Sequence, residues 1–286
     1  MNGMRQQLVH ANGVRFNVWA GGEGPPMVLL HGYPETALMW RKIVPKLLPE
    51  YRIVCPDLRG YGDSDKPRDG YDKRTMALDM KLLMEALGFK RFAVVGHDRG
   101  ARVGHRMALD HPQVVERLCV VDIVPTHTMF RSTNKELAVS YWHWFFFQVR
   151  DLPEVLIASQ PEAFLRFVFR ALGSTPEAIE EPVMQEYLRV FKLPGTQRAT
   201  LEDYRAAATI DFDHDEHDLG RKITCPVLAL WGERGRMHPL FDVLGTWREK
   251  AQRVQGKALP SGHFIPEEAP EALLAELLPF LQKRPE

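Results

Sequence analysis

Short apolar runs alternate along the chain with segments in which apolar residues recur every three or four positions. The runs MVLL (27–30), VVG (94–96), CVV (119–121) and VLAL (227–230) have the length and composition of buried strands. The segment TMALDMKLLMEALG (75–88) has helical spacing and ends on a glycine suited to a helix cap. Strands that alternate with helices in this way predict a mainly parallel sheet covered by helices on both faces.

This alternation stops in the region from about Thr126 to His217. Four short helical patterns take its place, namely SYWHWFFFQ, PEAFLRFVFRAL, PEAIEEPVMQEYLRVF and GTQRATLEDYRAAA. An interval of roughly ninety residues is far longer than an ordinary connection, so we expect an all-helical lid inserted between two core strands. The chain then divides into a first core segment (1–125), the lid (126–217) and a second core segment (218–286).

The charge balance excludes a strong electrostatic preference for a polyanion or a charged surface. The 37 lysines and arginines match 37 aspartates and glutamates, so we expect neither nucleic acid nor an anionic membrane as a partner. The three cysteines, Cys55, Cys119 and Cys225, lie in or beside apolar runs, which predicts buried, reduced thiols. Because no stretch has the length of a signal-peptide core or a membrane span, we expect a cytoplasmic protein.

The segment VVGHDRGARVGHR carries the most specific chemistry. An apolar run leads into Gly96-His97-Asp98-Arg99-Gly100, and a helix-like segment follows, which is typical of a nucleophile elbow. A serine at this position needs a base before it can attack, whereas an aspartate is already ionised near neutral pH. Asp98 therefore favours displacement at a saturated carbon through an aspartyl ester; the alternative is an inactive elbow in a binding protein.

The motifs HGYP (31–34), DLRGYGDSD (57–65), GHDRG (96–100) and PSGHF (260–264) occur in this order. In this combination the chain resembles the α/β-hydrolase superfamily from end to end, which implies an eight-stranded, mostly parallel sheet. The aspartate at the elbow resembles the branch of haloalkane dehalogenases, epoxide hydrolases and haloacetate dehalogenases, and HDRGAR is similar to fluoroacetate dehalogenases. The resemblance implies hydrolysis of haloacetate, with fluoroacetate the leading candidate, to glycolate and halide. It implies no cofactor and is compatible with a homodimer.

Two arginines follow the proposed nucleophile. Arg99 and Arg102 are three residues apart and share one face of the predicted helix. If the substrate is itself a carboxylate, two negative charges about 4 Å apart repel by roughly 4 kcal/mol, about a thousandfold in rate. A guanidinium clamp would remove this penalty and hold the substrate bidentately, so the pair predicts a short anionic substrate. The alternative is that one arginine pairs with a structural acid, which is our expectation for Arg106 one turn further on.

Two further residues complete the reaction machinery. The resemblance places the general base at His263, which follows the last predicted strand. For the acid that orients this histidine, Asp122 ends the strand LCVVD at the sheet edge where ligands bind, and the resemblance points to the same residue. Glu233 in WGERG is the alternative, because Gly235 stands where many members of the superfamily carry an aspartate.

The resemblance also implies binding groups for the charges that form during the reaction. Backbone N–H groups of Tyr33 and Arg99 take the positions of an oxyanion hole, and the side chains of His143, Trp144 and Tyr204 take those of halide donors. The residues alone leave another interpretation open, because an aromatic run such as YWHWFFFQ is more often the buried face of a helix. Neighbours on a regular helix also point apart, so His143 and Trp144 share a ligand only around an irregular backbone or a wrapping cavity.

The acidic run DFDHDEHDLG (211–220) offers carboxylates and two histidines, as a metal site would. Metal sites require convergent ligands and a supporting shell of hydrogen bonds, and the proposed reaction requires no metal. We therefore expect a solvated segment here and no metal.

Two other functions remain open. An epoxide hydrolase shares the nucleophile and the histidine, and it would use two tyrosines of the lid, drawn from Tyr141, Tyr187 and Tyr204. Such an enzyme would have no evident use for the arginine after Asp98. A receptor with this fold is the second alternative, and it would have no use for the aspartate itself.

Overall fold

The computed structural model describes residues 1–283, so the last three residues of the predicted second core segment lie outside the described range. Its strands are β1 (Arg5–Ala11), β2 (Val14–Gly21), β3 (Pro26–Leu30), β4 (Arg52–Pro56), β5 (Phe92–His97), β6 (Val115–Val121), β7 (Val227–Gly232) and β8 (Val254–Leu259). They form one sheet in the order β1-β2-β4-β3-β5-β6-β7-β8. β2 is antiparallel to both neighbours, and the pairs from β4 through β3 to β8 are parallel. The predicted fold class is confirmed.

Helices connect the strands and cover the sheet. In chain order they are α1 (Val44–Leu47), α2 (Lys73–Ala86), α3 (Asp98–Asp110), α4 (Thr126–Arg131), α5 (Lys135–Ser140), α6 (Trp142–Phe146), α7 (Leu152–Ser159), α8 (Pro161–Leu172), α9 (Glu181–Phe191), α10 (Thr196–Ala208), α11 (Ile210–His217), α12 (Met237–Leu240), α13 (Val243–Lys250), α14 (Ile265–Glu268) and α15 (Pro270–Gln282). Two 3₁₀ segments, Ala37–Lys42 and Pro176–Ala178, lie in the connections. Among residues 1–283, no helix combines the length and the apolar composition that a bilayer span requires.

The central strands lie between two helical layers, and the edge strand does not. Every residue of β5 is buried, as are the last four residues of β3, which explains why both segments are continuous apolar runs in the sequence. The first four residues of β1 are exposed, so RQQL has no apolar pattern. Sequence reasoning does not find β1 for this reason.

The regular elements between β6 and β7 are all helical. α8 spans the predicted segment PEAFLRFVFRAL, with Pro161 at the first position, where a helix needs no N–H donor. α10 covers most of GTQRATLEDYRAAA and begins after Gly195, whose φ of 86° suits glycine. We keep the name lid for residues 126–217, which hold α4 to α11.

The turn from β5 into α3 places residue 98 at the carboxyl edge of the sheet. Asp98 has a φ of 43°, a conformation that few side-chain-bearing residues adopt. A Cβ on Gly96 would lie 2.6 Å from the backbone of Ala101, and one on Gly100 would lie 2.3 Å from the carbonyl oxygen of Leu30. Only glycine at these two positions allows α3 to approach β3 and β5 this closely.

Substitution of Gly100 tests this packing constraint. Gly100→Ala would press a methyl group against backbone carbonyls, so we expect the free energy of unfolding to fall by about 2 kcal/mol or more. Gly220→Ala is the matched control, because nothing lies within 4 Å of its added Cβ. That control should change the free energy by less than about 0.5 kcal/mol. Urea denaturation followed by circular dichroism measures both, and equal midpoints for the two variants would contradict the constraint.

Candidate active site

The loops after β6 and β8 bring a histidine and an acid into contact. Nδ1 of His263 lies 2.6 Å from Oδ2 of Asp122, whose other oxygen accepts from the Gly232 N–H at 2.9 Å. The carbonyl oxygen of His263 accepts from Nε2 of the buried His97 at 2.8 Å, and this bond holds the loop that carries His263. Glu233 is exposed. The structure therefore places Asp122, and not Glu233, as the partner of the histidine.

The charges of this pair help to shift the pKa values of His263 and of Asp98. Burial alone would lower the pKa of His263, but its hydrogen bond to Asp122 and the charges of Asp122 and Asp98 raise it to about 9. Burial alone would raise the pKa of Asp98, but the charges of His263 and Arg99 hold it below its usual range. The resting site therefore contains an ionised Asp98 and a protonated His263 at neutral pH.

One of the two predicted oxyanion donors binds the carboxylate of Asp98. The Tyr33 N–H donates to Oδ2 of Asp98 at 3.1 Å. The Arg99 N–H belongs to the first turn of α3, where backbone donors have no partner within the helix. Both predicted backbone donors thus flank the carboxylate whose oxygen would carry the negative charge of an ester-hydrolysis intermediate.

Arg99 has a structural acid, Asp203, as its partner, which is the alternative that the sequence left open without naming the acid. Its Nε donates to Oδ2 of Asp203 at 3.1 Å, and its Nη2 donates to the Asp203 carbonyl oxygen at 2.8 Å. Asp203 also pairs with Lys73 and accepts from the Tyr61 hydroxyl at 2.7 Å. The fork of Arg99 is therefore occupied, and its buried Nη1, which has no hydrogen-bond partner among residues 1–283, is the donor left for a ligand. Arg99 can thus offer one donor, and not its whole fork, to the clamp that the sequence predicted for Arg99 and Arg102 together.

Arg102 lines the cavity directly. Its Nη1 donates to the carbonyl oxygen of Val124 at 2.9 Å and to Oγ1 of Thr126 at 3.1 Å, and its guanidinium lies 4.5 Å from the ring centre of Trp144. Burial and the charge of Arg99 lower its pKa to about 10, so it stays protonated near neutral pH. Both hydrogen-bond partners are neutral, and within residues 1–283 no carboxylate forms an ion pair with Arg102.

The predicted catalytic residues Asp98, Asp122 and His263 line a small cavity. The volume of this cavity is about 10 Å³, which is on the scale of a single water molecule. The lining side chains belong to Tyr33, Asp98, Arg102, Asp122, Tyr141, His143, Trp144, Leu172, Tyr204, Arg236, Met237 and His263. Sequence reasoning had no signal for Leu172, Arg236 or Met237, because their positions depend on how distant segments pack.

All three predicted halide donors line this cavity. His143 and Trp144 are neighbours, yet both reach it because α6 is only five residues long and follows an irregular Tyr141. The Tyr204 ring contacts both, with ring centres 5.7 Å and 5.6 Å away. Burial lowers the pKa of His143 to about 3, so its imidazole is neutral, and burial keeps the Tyr204 hydroxyl protonated by raising its pKa well above the ordinary value.

The acidic run of the lid is more ordered than a solvated segment. Asp215 and Asp218 form ion pairs with Arg106, which has the structural role expected of it. Asp72, Asp211 and His214 offer ligand atoms within 4.8 Å of one another. The ammonium of Lys73 lies 3.6 Å from Oδ2 of Asp211, and its positive charge opposes a cation at this place. The cluster therefore carries no metal assignment.

Comparison with known proteins defines the class. Residues 25–270 match the family of the alpha/beta hydrolase fold, and the chain belongs to this family of hydrolases. The chain is 41% identical over 98% of its length to a fluoroacetate dehalogenase from Burkholderia sp., of which it covers 94%. It is 36% identical over 94% of its length to a soluble epoxide hydrolase from Corynebacterium sp. (strain C12), also with 94% covered. A crystal structure described as an α/β-hydrolase from Nostoc sp. PCC 7120 has a TM-score of 0.97 at 49% identity, covering 98% of this chain and 99% of that one.

The pairing of His263 with Asp122 predicts a distinct titration. Asp122→Asn removes the charge that raises the His263 pKa, so its imidazole should titrate well below pH 9, toward about 6.5. Glu233→Gln is the control, because this exposed side chain is not bonded to the ring, and it should leave the value unchanged. Histidine C–H resonances followed by NMR across pH 5 to 10 measure both. A downward shift with Glu233→Gln and none with Asp122→Asn would reverse the assignment.

The same pKa sets the sign of a stability effect. Because the folded-state pKa of His263 lies above its ordinary value, the ion pair with Asp122 stabilises the fold fully below about pH 6.5. This stabilisation is lost as the pH rises through about 9, where His263 loses its proton. Between about pH 6.5 and about 9, the free energy of unfolding should therefore change less with pH in Asp122→Asn than in the parent protein.

The buried pair of Arg99 and Asp203 predicts a large stability effect. Asp203→Asn leaves two buried cations, Arg99 and Lys73, beside a neutral amide, so the free energy of unfolding should fall by about 3 kcal/mol. Glu202→Gln is the control, since it removes the neighbouring carboxylate, whose ion pairs with Arg205 and Arg150 are partly exposed. Its effect should stay below about 1 kcal/mol. Calorimetric melting of both variants tests the difference, and similar losses would refute it.

Proposed function

We propose that the protein is a hydrolytic dehalogenase that converts a short 2-haloacid to the hydroxyacid and halide. Haloacetate is the proposed substrate, with fluoroacetate the leading candidate and glycolate the product. The charge balance around Asp98 carries this proposal. In each of the pairs Arg99–Asp203 and His263–Asp122, a positive charge lies beside a negative one. Among residues 1–283 no carboxylate forms an ion pair with Arg102, and the nearby charge of Asp98 is what offsets its positive charge.

This balance changes when Asp98 reacts. Alkylation converts its carboxylate into a neutral ester, which would leave the buried Arg102 cation uncompensated if the substrate were neutral. A substrate carboxylate supplies the missing negative charge throughout the life of the ester. Nη1 of Arg99 and the cavity face of Arg102 then offer one donor each, so two guanidinium groups share the carboxylate.

In the first step, Oδ1 of Asp98 attacks the carbon that bears the halogen. The new C–O bond forms as the carbon–halogen bond breaks, and the electron pair leaves with the halide. The Tyr33 N–H holds Oδ2 away from the reacting carbon. Departing fluoride loses hydration in a dry cavity, and the N–H groups of His143 and Trp144 and the Tyr204 O–H replace it.

In the second step, water attacks the carbonyl carbon of the ester. His263 takes the proton of the water and later gives it to the departing alkoxide of glycolate, while Asp122 stabilises the imidazolium. The N–H groups of Tyr33 and Arg99 hold the oxyanion. Because esterification removes the Asp98 charge that helps to raise the His263 pKa, the imidazolium of the resting site releases its proton to solvent more readily, and the neutral imidazole that the second step needs is formed.

The size of the cavity agrees with a small substrate. A cavity that holds about one water molecule requires its walls to yield for any substrate, and the required movement grows with the size of that substrate. Leu172 and Met237 add bulky apolar side chains to this wall. A two-carbon acid needs far less displacement of these walls than a styrene-sized molecule would.

Epoxide hydrolysis is the second candidate, because two tyrosines of the lid line the cavity with Asp98. These are Tyr141 and Tyr204, whereas the Tyr187 hydroxyl donates to Glu267 at 2.9 Å and is absent from the lining. Paired tyrosines in this position could protonate an epoxide oxygen. The neutral ester that results would leave Arg102 without a counter-charge, which is why we favour the haloacid.

A halide electrode tests the proposal directly. Purified protein with fluoroacetate or chloroacetate should release halide and form glycolate. His263→Gln should release halide only once per molecule and retain a carboxymethyl group on the peptide that contains Asp98, detectable by mass spectrometry. Arg102→Gln should lower kcat/KM for chloroacetate by about a thousandfold, since the unscreened repulsion returns.

Styrene oxide serves as the comparison substrate. Turnover of styrene oxide together with complete inertness toward fluoro-, chloro- and bromoacetate would refute the dehalogenase and favour the epoxide hydrolase. Halide release without any adduct in His263→Gln would refute the ester mechanism.

A further inference from the structure

One residue of the cavity lining retains clear contact with solvent. Eleven of the twelve lining side chains are buried, and Arg236 is the one that is half-buried. Its guanidinium group therefore links the lining of the cavity to the partly exposed surface of the protein.

Arg236 is bonded to neutral groups alone. Its Nη1 donates to the carbonyl oxygen of Ser140 at 2.8 Å, and its Nη2 and Nε donate to that of Ala171 at 2.7 Å and 3.3 Å. These carbonyls lie at the carboxyl ends of α5 and α8, where helix dipoles favour a cation. In the described part of the chain no carboxylate pairs with Arg236, so no ion pair cancels its positive charge, which helps to lower the pKa of the cavity residue His143.

The loop that carries Arg236 also borders the catalytic acid. Gly235 precedes it, and a Cβ at this position would lie 3.7 Å from Oδ1 of Asp122. Met237 follows it and lines the cavity. The chain therefore holds Arg236 between the catalytic residues and two helices of the lid, at the boundary that a substrate crosses.

We propose that Arg236 is a specificity-determining residue at the mouth of the cavity, which attracts the anionic substrate inward. This inference rests on the proposed function for the charge of the substrate. Positive charge in a narrow, low-dielectric opening raises the local concentration of anions and their association rate. Neutral molecules of the same size gain nothing from it. Arg236 touches no reacting atom, so its effect falls on access and not on bond breaking.

Three variants separate the charge from the lid contacts. Arg236→Gln removes the charge. Arg236→Lys keeps the charge on a single nitrogen in place of the guanidinium fork. Arg234→Gln removes a charge from the same loop at an exposed side chain. We expect Arg236→Gln to lower kcat/KM for chloroacetate about tenfold and to flatten its dependence on ionic strength. Arg236→Lys should keep the ionic-strength dependence, and Arg234→Gln should resemble the parent protein.

A single-turnover measurement shows where the effect falls. At saturating chloroacetate, the rate of Asp98 ester formation should be the same in Arg236→Gln as in the parent. An equal ionic-strength dependence of kcat/KM in Arg236→Gln and Arg234→Gln would overturn the proposal. So would a tenfold loss in the saturated ester-forming step, since Arg236 would then act on the chemistry.

Bromide association gives a readout that does not need turnover. Bromide should quench the fluorescence of Trp144 in the cavity, and Trp144→Phe identifies that signal among the six tryptophans. Stopped-flow association should be about tenfold slower in Arg236→Gln and unchanged in Arg234→Gln. If haloacids are inert but this difference holds, the proposed function fails and the role of Arg236 stands. If haloacids turn over but bromide association is equal in all variants, Arg236 has no such role.

Discussion

The structure depends on one constraint: a buried carboxylate must stay ionised. Asp98 is only 6% exposed, so its charge has to be offset by neighbours that are themselves buried. His263, Arg99 and Arg102 supply that offset, and each brings a requirement of its own. Arg99 needs Asp203, which needs Lys73, and His263 needs Asp122. The residues that offset the charge of Asp98, directly or through one another, thus extend from the strand ends of the core to α10 of the lid.

The fold and the proposed triad could be predicted from the sequence because their causes are local. Gly96 and Gly100 are required by contacts with backbone atoms a few ångströms away, so the elbow is visible as a short motif. Asp122 follows β6, a buried strand whose apolar run is evident, whereas His263 follows the partly exposed β8. Both residues lie where parallel strand ends converge on one edge of the sheet. β1 was not predicted, because the sequence of this exposed edge strand has no apolar pattern.

The charge partners and the cavity could not be predicted in the same way. Arg99 and Asp203 are 104 positions apart, and only the docking of α10 on α3 brings them together. The acid beside Tyr204 in LEDYRAAA was a signal, since an ionisable residue on a buried helix face requires a partner, but the sequence does not say which. Arg236 was harder still, because its hydrogen bonds go to backbone carbonyls, which carry no sequence signature.

The ion pairs between α10 and the core have a consequence for how this enzyme could acquire new substrates. Swinging α10 outward would separate Asp203 from two buried cations, so this helix is anchored and the side chains of the cavity wall are the parts that can yield. The size of molecule that is admitted is then set by those side chains and not by a hinge of the lid. Adaptation to bulkier molecules would proceed by trimming wall residues such as Leu172 and Met237, one volume increment at a time, while the ionic anchor is retained.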